Sequence, residues 1–472
     1  MKAPVLALTL IGSAALGAGC GNVDRGQANV PPPPTPTPVG DIGAWDDGSQ
    51  TFAHTFYVRP PGQSYGTGDG SSWTNAFSDL PSRLVRGAKY LVASGEYDEA
   101  TPQGDEPYDD HTFDDPEDGE QFIAIVKATA SEHGADEGWT ASFGEGAASF
   151  GPIGMITGHY LFEGVTGSGA EGYGIRIAVK PEVCTNNNAN AFYFSWNAQS
   201  HYVALHHVDI SFCGAVHLDG PAQDAIYGYM TDSYDVDHVT IRNCWVHDTT
   251  RVLAFFLGWD DVLLEHSRFE RSGQAQESCS LAMRNASNVV VRDNVFKDAI
   301  NVYVSLQNVQ NVHIYGNVFV TTLAGWDIWN SVHSAEPAFD VFIYDNTFYG
   351  LTGLSTGMRF SDSTSNLVVM NNIWALNRTN QIPMVGQHDY NAFFDNIRPD
   401  SNEDLSLSED EPHVQVMTAD PFVDAAGLDF HLGGATDPGN AVGAPYDRDP
   451  DGVTRGADGS WDRGAFEYQA GN

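Results

Sequence analysis

The stretch DHVTIRNCWVHD, which begins at Asp237, decides the fold because its twelve-residue pattern returns five more times without a gap. The later copies are DDVLLEHSRFER from Asp260, SNVVVRDNVFKD from Ser287, QNVHIYGNVFVT from Gln310, FDVFIYDNTFYG from Phe339 and SNLVVMNNIWAL from Ser365. The less regular segment HYVALHHVDISF from His201 fits the same frame. Successive copies start about 23 to 36 residues apart, and a short period of this kind indicates a stacked repeat architecture.

The third, fifth and tenth positions of the repeat are apolar in every copy. β-Branched residues dominate positions three and five, and aromatic residues dominate position ten, as suits a pleated surface. A spacing of two places side chains on one face of a β-strand rather than along a helix. Positions three and ten differ by an odd number, so the chain must bend between them for both to point inward.

The eighth position lies at this bend and holds Asn294, Asn317, Asn346 and Asn372 in four successive copies. A buried amide needs hydrogen-bond partners, and the turns above and below can supply them. We therefore expect a ladder of stacked amides in which each bond contributes about 1 kcal/mol net. A leucine-rich horseshoe also carries such a ladder, but its leucine framework is missing here. The pattern predicts an all-β solenoid, a right-handed parallel β-helix with capped ends.

At this point the chain resembles the pectate-lyase-like superfamily of right-handed β-helix proteins. Besides the repeats, the lead-in from Thr55 to Tyr97 and the ending from Asp447 to Tyr468 resemble those of secreted bacterial members. The resemblance covers most of the chain and implies the fold. It does not select an activity, because this fold carries lyases, hydrolases, epimerases and non-enzymes.

The N-terminal region has the features of an exported protein. Lys2 precedes the apolar run Val5–Leu16, which is too short to span a bilayer stably and predicts a secretory signal. LGAGC, ending at Cys20, resembles a bacterial lipoprotein cleavage box, although a Gly stands three places before the cysteine where a Leu is usual. We expect lipidation at Cys20, with plain cleavage as the alternative.

Three segments follow from these features: a signal peptide over residues 1–19, a proline-rich tether over 20–50, and one β-helix domain over 51–472. The run VPPPPTPTPVG within the tether forms a semi-rigid extended spacer that would hold the domain away from a membrane or wall. These features predict an outer-membrane or cell-surface lipoprotein, or a secreted protein.

The charge balance restricts the partners. The chain has 62 Asp and Glu against 22 Lys and Arg, a formal charge of −40. Such a surface repels nucleic acid and anionic membranes. We expect a monomer that binds an extracellular polysaccharide and contacts a membrane only through its lipid anchor. Cys184, Cys213, Cys244 and Cys279 allow three disulfide pairings, among which the sequence does not choose.

A third strand follows the variable loop of each turn, and alternation predicts which of its side chains face outward. The outward line comprises His217, Asp219, Arg284, Tyr303, Trp329 and Arg359. The loops that enter these strands add His247, Asp248, Arg251, Glu270, Arg271 and Glu277. Aromatic faces stack on sugar rings and arginine forks clamp carboxylates. The superfamily resemblance implies that these strands floor a sugar-binding groove.

The sharpest functional hypothesis is a lyase that cleaves a uronic-acid polymer by β-elimination, which needs a base and a cation to neutralise the substrate carboxylate. The candidate catalytic residues are Arg284, Arg359, Glu277 and His217, and the candidate substrate-binding residues are Tyr303, Trp329, Arg251 and Asp219. A glycoside hydrolase would instead need two carboxyl groups about 5 to 9.5 Å apart. The alternative from another class is a non-catalytic adhesin or glycan-binding protein.

The ending contains one pattern that suggests a metal. Asp447, Asp449 and Asp451 alternate before Gly452, like the first half of a calcium loop. The closing Glu of a full loop is replaced by Asp458. Ca²⁺ is therefore a candidate cofactor on this half-motif alone, and no other motif of the sequence requires a cofactor.

Overall fold

The computed structural model describes residues 38–97, 111–179, 190–195, 198–212, 223–228, 235–273, 278–323, 328–351, 357–377, 386–396 and 411–469. In these ranges nearly every strand belongs to one of three long parallel sheets. Each turn contributes a strand to sheet 1, then to sheet 2, then to sheet 3, and the next turn stacks on it in register. The predicted parallel β-helix is confirmed.

The strands are numbered in chain order and described by sheet. Sheet 1 pairs β2 (Phe77–Ser78), β1 (His54–Arg59), β3 (Ala88–Val92), β6 (Ile123–Lys127), β9 (Tyr160–Glu163), β12 (Gln199–His206), β15 (Asp235–Arg242), β18 (Asp260–Glu265), β21 (Ser287–Arg292), β24 (Val309–Tyr315), β27 (Ala338–Tyr344), β30 (Ser365–Met370) and β32 (Gln387–Asp389). Sheet 2 pairs β4 (Gly95–Glu96), β7 (Ala148–Phe150), β10 (Ile175–Val179), β13 (Val208–Phe212), β16 (Trp245–Thr249), β19 (Arg268–Ser272), β22 (Val295–Lys297), β25 (Val318–Val320), β28 (Thr347–Tyr349), β31 (Ile373–Ala375), β33 (Ala392–Phe394) and β34 (Gln415–Met417). Sheet 3 pairs β5 (His111–Phe113), β8 (Ile153–Met155), β11 (Phe192–Phe194), β14 (Ile226–Gly228), β17 (Val252–Leu257), β20 (Cys279–Arg284), β23 (Asn301–Gln307), β26 (Ile328–Ser334) and β29 (Met358–Phe360).

Outside the three sheets the structure is sparse. The antiparallel pair β35 (Phe422–Asp424) and β36 (Asp429–Leu432) belongs to the C-terminal region. Short 3₁₀ turns occupy Val39–Asp41, Ala141–Gly144 and Ala425–Gly427. No helix in the described ranges is long and apolar enough to span a bilayer.

The core is built by stacking like on like. Phe296, Phe319 and Phe348 from successive turns lie with ring centroids 4.8 Å apart and planes within 8°. That separation equals the spacing between neighbouring strands, so each ring packs directly on the one below. All three rings are fully buried. The tenth repeat position is therefore the apolar spine of sheet 2.

The predicted asparagine ladder is confirmed at the bend between sheets 1 and 2. Asn346 represents each rung: its Oδ1 accepts from the backbone N–H and the Nδ2 of Asn317, both at 3.0 Å. Its own Nδ2 donates to Asn372 Oδ1 at 3.0 Å. The ladder runs one rung further than predicted, to Asn391, and ends at the buried Glu411, whose carboxylate accepts both Asn391 donors.

Residues 38–50, which the sequence analysis assigned to the tether, pack against the outer face of sheet 1. Ile42 is buried among Leu263, Val290 and Tyr315. Asp46 is also buried, and its Oδ2 lies 2.6 Å from His206 Nε2. Residues 38–50 are therefore packed on the β-helix in this structure.

The histidine that receives this segment has an unusual protonation state. His206 contacts Asp46 on one side and, through Nδ1, Glu163 Oε2 at 3.2 Å on the other. Burial alone would lower the pKa of His206, but hydrogen bonds and charge interactions with both carboxylates outweigh burial and raise the pKa to about 9. The protonated ring therefore ties residues 38–50 to the solenoid.

This pairing predicts that the N-terminal segment loosens in alkaline solution. A raised histidine pKa contributes stability that is complete below the unfolded value of about 6.5 and lost as the pH rises through about 9. We expect proteolytic cleavage within residues 38–50 to accelerate about ten-fold or more between pH 6.5 and 9.5. Limited proteolysis followed by mass spectrometry measures this rate. In the Asp46→Asn variant the segment should already be susceptible at pH 6.5, and equal protection of the natural chain across this range would contradict the assignment.

Candidate functional site

Several of the residues predicted from the sequence lie outside the described part of the chain. His217, Asp219 and Glu277 lie outside the described residues, as does Cys20. The backbone of Trp329 belongs to β26, but its side chain also lies outside the described part. Their proposed roles stay predictions.

The prediction that Tyr303 faces outward is wrong. Tyr303 is fully buried in the main core, and its hydroxyl lies 2.5 Å from Val320 O and 2.9 Å from Thr321 Oγ1. Simple alternation fails because two consecutive side chains, Tyr303 and Val304, point inward near the start of β23, next to an irregularity in strand register. Val302, predicted to face the core, belongs instead to a smaller cluster with Phe255 and Cys279. Tyr303 therefore has no ring face to offer a sugar.

Arg284 and Arg359 do not share one site. Arg284 aligns in register with Leu257 and Gln307, whereas Arg359 aligns with His333. Three strand spacings separate the two arginines along sheet 3, which amounts to about 14 Å. Arg359 is exposed. The two guanidinium groups are thus too far apart to clamp one carboxylate together.

Arg251 is committed to a protein carboxylate. Its Nε lies 2.9 Å from Asp224 Oδ1, and its Nη2 contacts the other oxygen of the same side chain. Asp224 is buried and also accepts the backbone N–H of Val252 at 3.0 Å. This forked pair secures the start of β17, and a substrate carboxylate would have to displace Asp224 to reach Arg251.

A cavity of about 480 Å³ opens at the bend between sheets 1 and 2, lined mostly by residues before the aligned repeats. We call it the corner cavity. Its polar lining includes Lys127 at the end of β6, Glu171 and Tyr173 in the loop before β10, and Asp209 in β13. Its volume falls in the range of about 300 to 1,000 Å³ that is usual for small-molecule sites.

Lys127 is the most unusual residue of the corner cavity. Its side chain is 1% exposed, and its Nζ donates to Ala128 O at 2.5 Å and to Phe143 O at 2.9 Å. In the described part of the chain no carboxylate forms an ion pair with it. Burial lowers the pKa of Lys127 to about 8. About one tenth of this lysine is therefore a neutral amine at pH 7, a fraction that grows toward pH 8, and the neutral form can accept a proton.

The neighbouring turn is shaped to accommodate this side chain. A Cβ built on Gly174 would come within 2.8 Å of Lys127 Cγ and within 2.0 Å of Gly164 O. Gly174 therefore allows the close approach that lets the lysine lie across the bend.

Next to the corner cavity, the outer face of sheet 2 carries a line of polar and aromatic side chains. Arg176, Asp209, Trp245 and Arg268 align in register on successive strands. The Tyr173 and Trp245 rings lie 6.4 Å apart and are stacked at 25°. Arg176 is exposed, with its Nε 3.8 Å from Asp209 Oδ2. We call these residues the sheet 2 groove.

The loop candidates His247, Asp248, Glu270 and Arg271 do come together, at the end of this groove. His247 Nε2 lies 2.9 Å from Asp209 Oδ1, and its Nδ1 lies 2.6 Å from Asp248 Oδ2. Arg271 contacts both Asp248 and Glu270. Burial raises the pKa of Asp248, but hydrogen bonds from Arg271 and His247 outweigh it and lower the pKa to about 2. The fully paired network holds Asp209 in place rather than offering a free acid or base.

Two of the C-terminal aspartates, Asp449 and Asp451, are engaged by groups of the protein itself. Asp449 is buried, and its two carboxylate oxygens accept the backbone N–H groups of Asp451, Val453 and Glu467. Asp451 pairs with His431 at 2.7 Å. Asp447, Asp449 and Asp451 are not among the converging ligand groups of the described chain. Asp449 organises a turn, and the alternating pattern arises from that role.

Two kinds of comparison were negative: no protein-family model and no curated protein matches the sequence. Solved structures give similarities that agree with the three parallel sheets. The pectate lyase Pel9A matches with a TM-score of 0.48 and 11% identity, over 89% of this chain and 98% of that one. The three stacked parallel sheets show that the chain is a parallel β-helix.

Two further matching structures have different printed functions. The GH136 lacto-N-biosidase from Eubacterium ramulus matches with a TM-score of 0.45 and 9% identity, over 77% of this chain and 67% of that one. The surface protein and adhesin PfbA of Streptococcus pneumoniae matches with a TM-score of 0.34 and 12% identity, over 80% of this chain and 94% of that one. At these identities and TM-scores the similarities carry no argument about the activity of this chain.

One signal in the sequence pointed to the corner cavity. Lysine is rare in this β-helix, and the strand IAIVK places Lys127 directly after four apolar residues, where a solvated lysine is not expected. Tyr173 had no such signal, because its contact with Trp245 depends on a loop outside the aligned repeats.

Proposed function

We propose that this β-helix binds an extracellular polysaccharide that contains uronic acid. The polymer would lie in the sheet 2 groove and be cleaved by β-elimination in the corner cavity. The observation that carries the proposal is the buried Lys127, whose pKa of about 8 suits a general base. The proposal moves the reaction from the arginine line of sheet 3 to the bend between sheets 1 and 2.

The elimination can be written with atoms and electrons balanced. The neutral Lys127 amine takes the proton from C5 of a uronate residue, next to the carboxylate. The C5–H electrons form a C4–C5 double bond, and the C4–O4 bond breaks with its electron pair leaving on oxygen. Water protonates the leaving oxygen and Lys127 returns its proton to solvent, so the products are one saturated and one unsaturated chain end.

A cation must neutralise the uronate carboxylate for C5 to become acidic. Arg176 supports this role because it is exposed and borders Asp209, which lines the corner cavity. Its ion pair with Asp209 is long, at 3.8 Å, so its planar fork remains available for an incoming carboxylate. The half-buried Trp245 ring, stacked on Tyr173, offers apolar surface for a neighbouring sugar unit.

The test is incubation of the full chain with separate uronic and neutral polysaccharides, followed by ultraviolet absorbance and reducing-end assays. We expect absorbance from unsaturated ends to rise with a uronic polymer only. New reducing ends without that absorbance would replace the proposal by hydrolysis, in which Glu171 and Asp209 would be the acids to examine. Binding without any product would replace it by a non-catalytic glycan-binding role.

Arg176 gives the same assay a matched pair of variants. Arg176→Ala should lower kcat/KM on the uronic polymer about 10- to 100-fold, since one charge-assisted fork to substrate is lost. Arg83→Ala removes another exposed arginine, paired with Asp114 at 2.9 Å, and should leave kcat/KM unchanged. Equal kcat/KM in both variants would remove Arg176 from the site.

A further inference from the structure

A second cluster of chemically active side chains lies at the opposite edge of sheet 1, where β12 and β15 begin. His201 in β12 and Asp235 and Asp237 in β15 each direct a ligand atom to a common region, with these atoms within 4.8 Å of one another. His201 Nδ1 lies 2.9 Å from Asp237 Oδ1. Among the described residues this is the only group of three His, Cys, Asp or Glu side chains that converges in this way.

Register explains why these residues meet. His201 pairs directly with Asp237 on the next turn, and the preceding pair is Gln199 with Asp235. Asp235 and Asp237 are two residues apart in one strand, so their side chains leave the same face. The cluster is therefore built into the strand pairing rather than formed by chance contact of loops.

More ligand capacity surrounds the three residues. His238 Nδ1 lies 2.6 Å from Asp237 Oδ1, and His238 Nε2 lies 3.5 Å from Asp261. On the turn below, His159 is 6% exposed, and its buried Nδ1 makes no hydrogen bond within the described ranges. That nitrogen lies 3.6 Å from Glu117 Oε1, and the backbone N–H of His159 donates to His201 O at 2.7 Å. His159 thus lies on the turn next to His201 and adds a further imidazole to this region.

We infer that His201, Asp235 and Asp237 bind a divalent first-row transition-metal ion, with Zn²⁺ as the natural probe. One imidazole and two carboxylates leave a position open for water or for a further ligand, and mixed N and O donors suit Zn²⁺ better than Ca²⁺. Atoms bound to one Zn²⁺ at about 2.1 Å lie roughly 3 to 4 Å apart, so small side-chain rotations bring these ligands into place. His201 and Asp237 are about one quarter exposed and Asp235 is exposed, so the ion has an open path.

The ion would join two successive turns of the solenoid. His201 belongs to one turn and both aspartates to the next, so one ion links strands β12 and β15 on their outer edge. Such a link adds stability in proportion to the free metal concentration. This role is independent of the proposed cleavage, because none of these three residues lines the corner cavity, which lies beyond the end of β6 at the opposite edge of sheet 1.

Isothermal titration of the full chain with ZnCl₂, carried out on protein purified without a polyhistidine tag, tests the inference. We expect one Zn²⁺ per chain at a site that is tighter than the background binding of scattered histidines. His201→Ala and Asp235→Asn should each weaken this site at least about ten-fold. Asp235→Asn changes an exposed side chain and should leave the fold intact, as a thermal melt without metal will show. A Ca²⁺ titration should show no competition at equal concentration.

His413→Ala is the matched control. His413 also pairs with a carboxylate, Asp389, at 2.8 Å, but no third ligand converges on this pair within the described chain. Its Zn²⁺ isotherm should equal that of the natural chain. The inference is overturned if no one-to-one site is found, if His201→Ala and Asp235→Asn bind Zn²⁺ as the natural chain does, or if His413→Ala loses the site as well.

Discussion

Lys127→Arg should reduce the rate of polysaccharide cleavage by about 10³-fold while leaving polysaccharide binding nearly unchanged. Arginine keeps the positive charge and the ability to donate to Ala128 O and Phe143 O, but it stays protonated throughout the accessible pH range. A group that cannot lose its proton cannot remove one from C5. The measurement is kcat for unsaturated ends alongside the dissociation constant for the same polymer.

The pH profile of the natural chain provides the second readout. Because burial lowers the pKa of Lys127 to about 8, cleavage should fall about ten-fold for each pH unit below that value and level off above it. Lys89→Met is the matched control: Lys89 lies on β3 of the same sheet but pairs with Glu132 at 2.8 Å. Lys89→Met should retain both the rate and the profile. Full activity in Lys127→Arg, or a rate independent of pH between 6 and 9, would remove Lys127 from the reaction.

Asn346→Ala should lower the free energy of unfolding by about 3 to 5 kcal/mol, the largest stability effect expected from a single polar substitution in this chain. The Asn346 amide accepts two hydrogen bonds from Asn317 and donates to Ile314 O, Tyr344 O and Asn372 Oδ1. Its removal leaves several of these groups buried without partners. Each orphaned group costs about 1 to 3 kcal/mol, with partial relaxation reducing the sum.

Asn366→Ala controls for the loss of an asparagine as such. Asn366 is exposed and donates to Asp340 Oδ1 at 2.6 Å, so its loss should cost less than about 1 kcal/mol. Denaturant unfolding followed by far-ultraviolet circular dichroism compares the two variants. A solenoid can unfold in parts, so proteolysis of the intact chains should accompany the denaturant curves. Similar losses in the free energy of unfolding for both variants would mean that a ladder hydrogen bond stabilises the fold no more than a surface hydrogen bond does.

The sequence predicted what depends on local repetition. Asn294 and its counterparts were recognisable because one position in a regular period must meet the same position in the next turn. Tyr303 was misassigned because an irregularity at the start of β23 shifts the alternation by one residue, and no periodic signal marks it. The corner cavity was missed for a different reason: Lys127, Tyr173 and Asp209 lie on turns whose repeats are irregular, so their register was not visible.

The pairing of His201 with Asp237 was missed although both lie within the aligned repeats. Both are the first residue of their repeat copy, but the residue type at this position differs from copy to copy. A search for complementary residue types at equal positions of neighbouring copies, rather than for identical types, would have found the pair of His201 and Asp237. The same search would have placed Asp209 beside Trp245 on sheet 2.

The termination of the ladder at Glu411 gives the solenoid a direction. Every amide from Asn294 to Asn391 passes its N–H hydrogens toward the C-terminus, and a carboxylate can receive them but has none to pass on. Duplicating a whole turn N-terminal to Glu411 would therefore lengthen the protein without breaking the chain of donors and acceptors. A turn added C-terminal to Glu411 would receive no N–H from the carboxylate, so its first amide oxygen would lack a donor. The ladder therefore tolerates tandem duplication of turns within it but not addition of a turn after its last residue, Glu411.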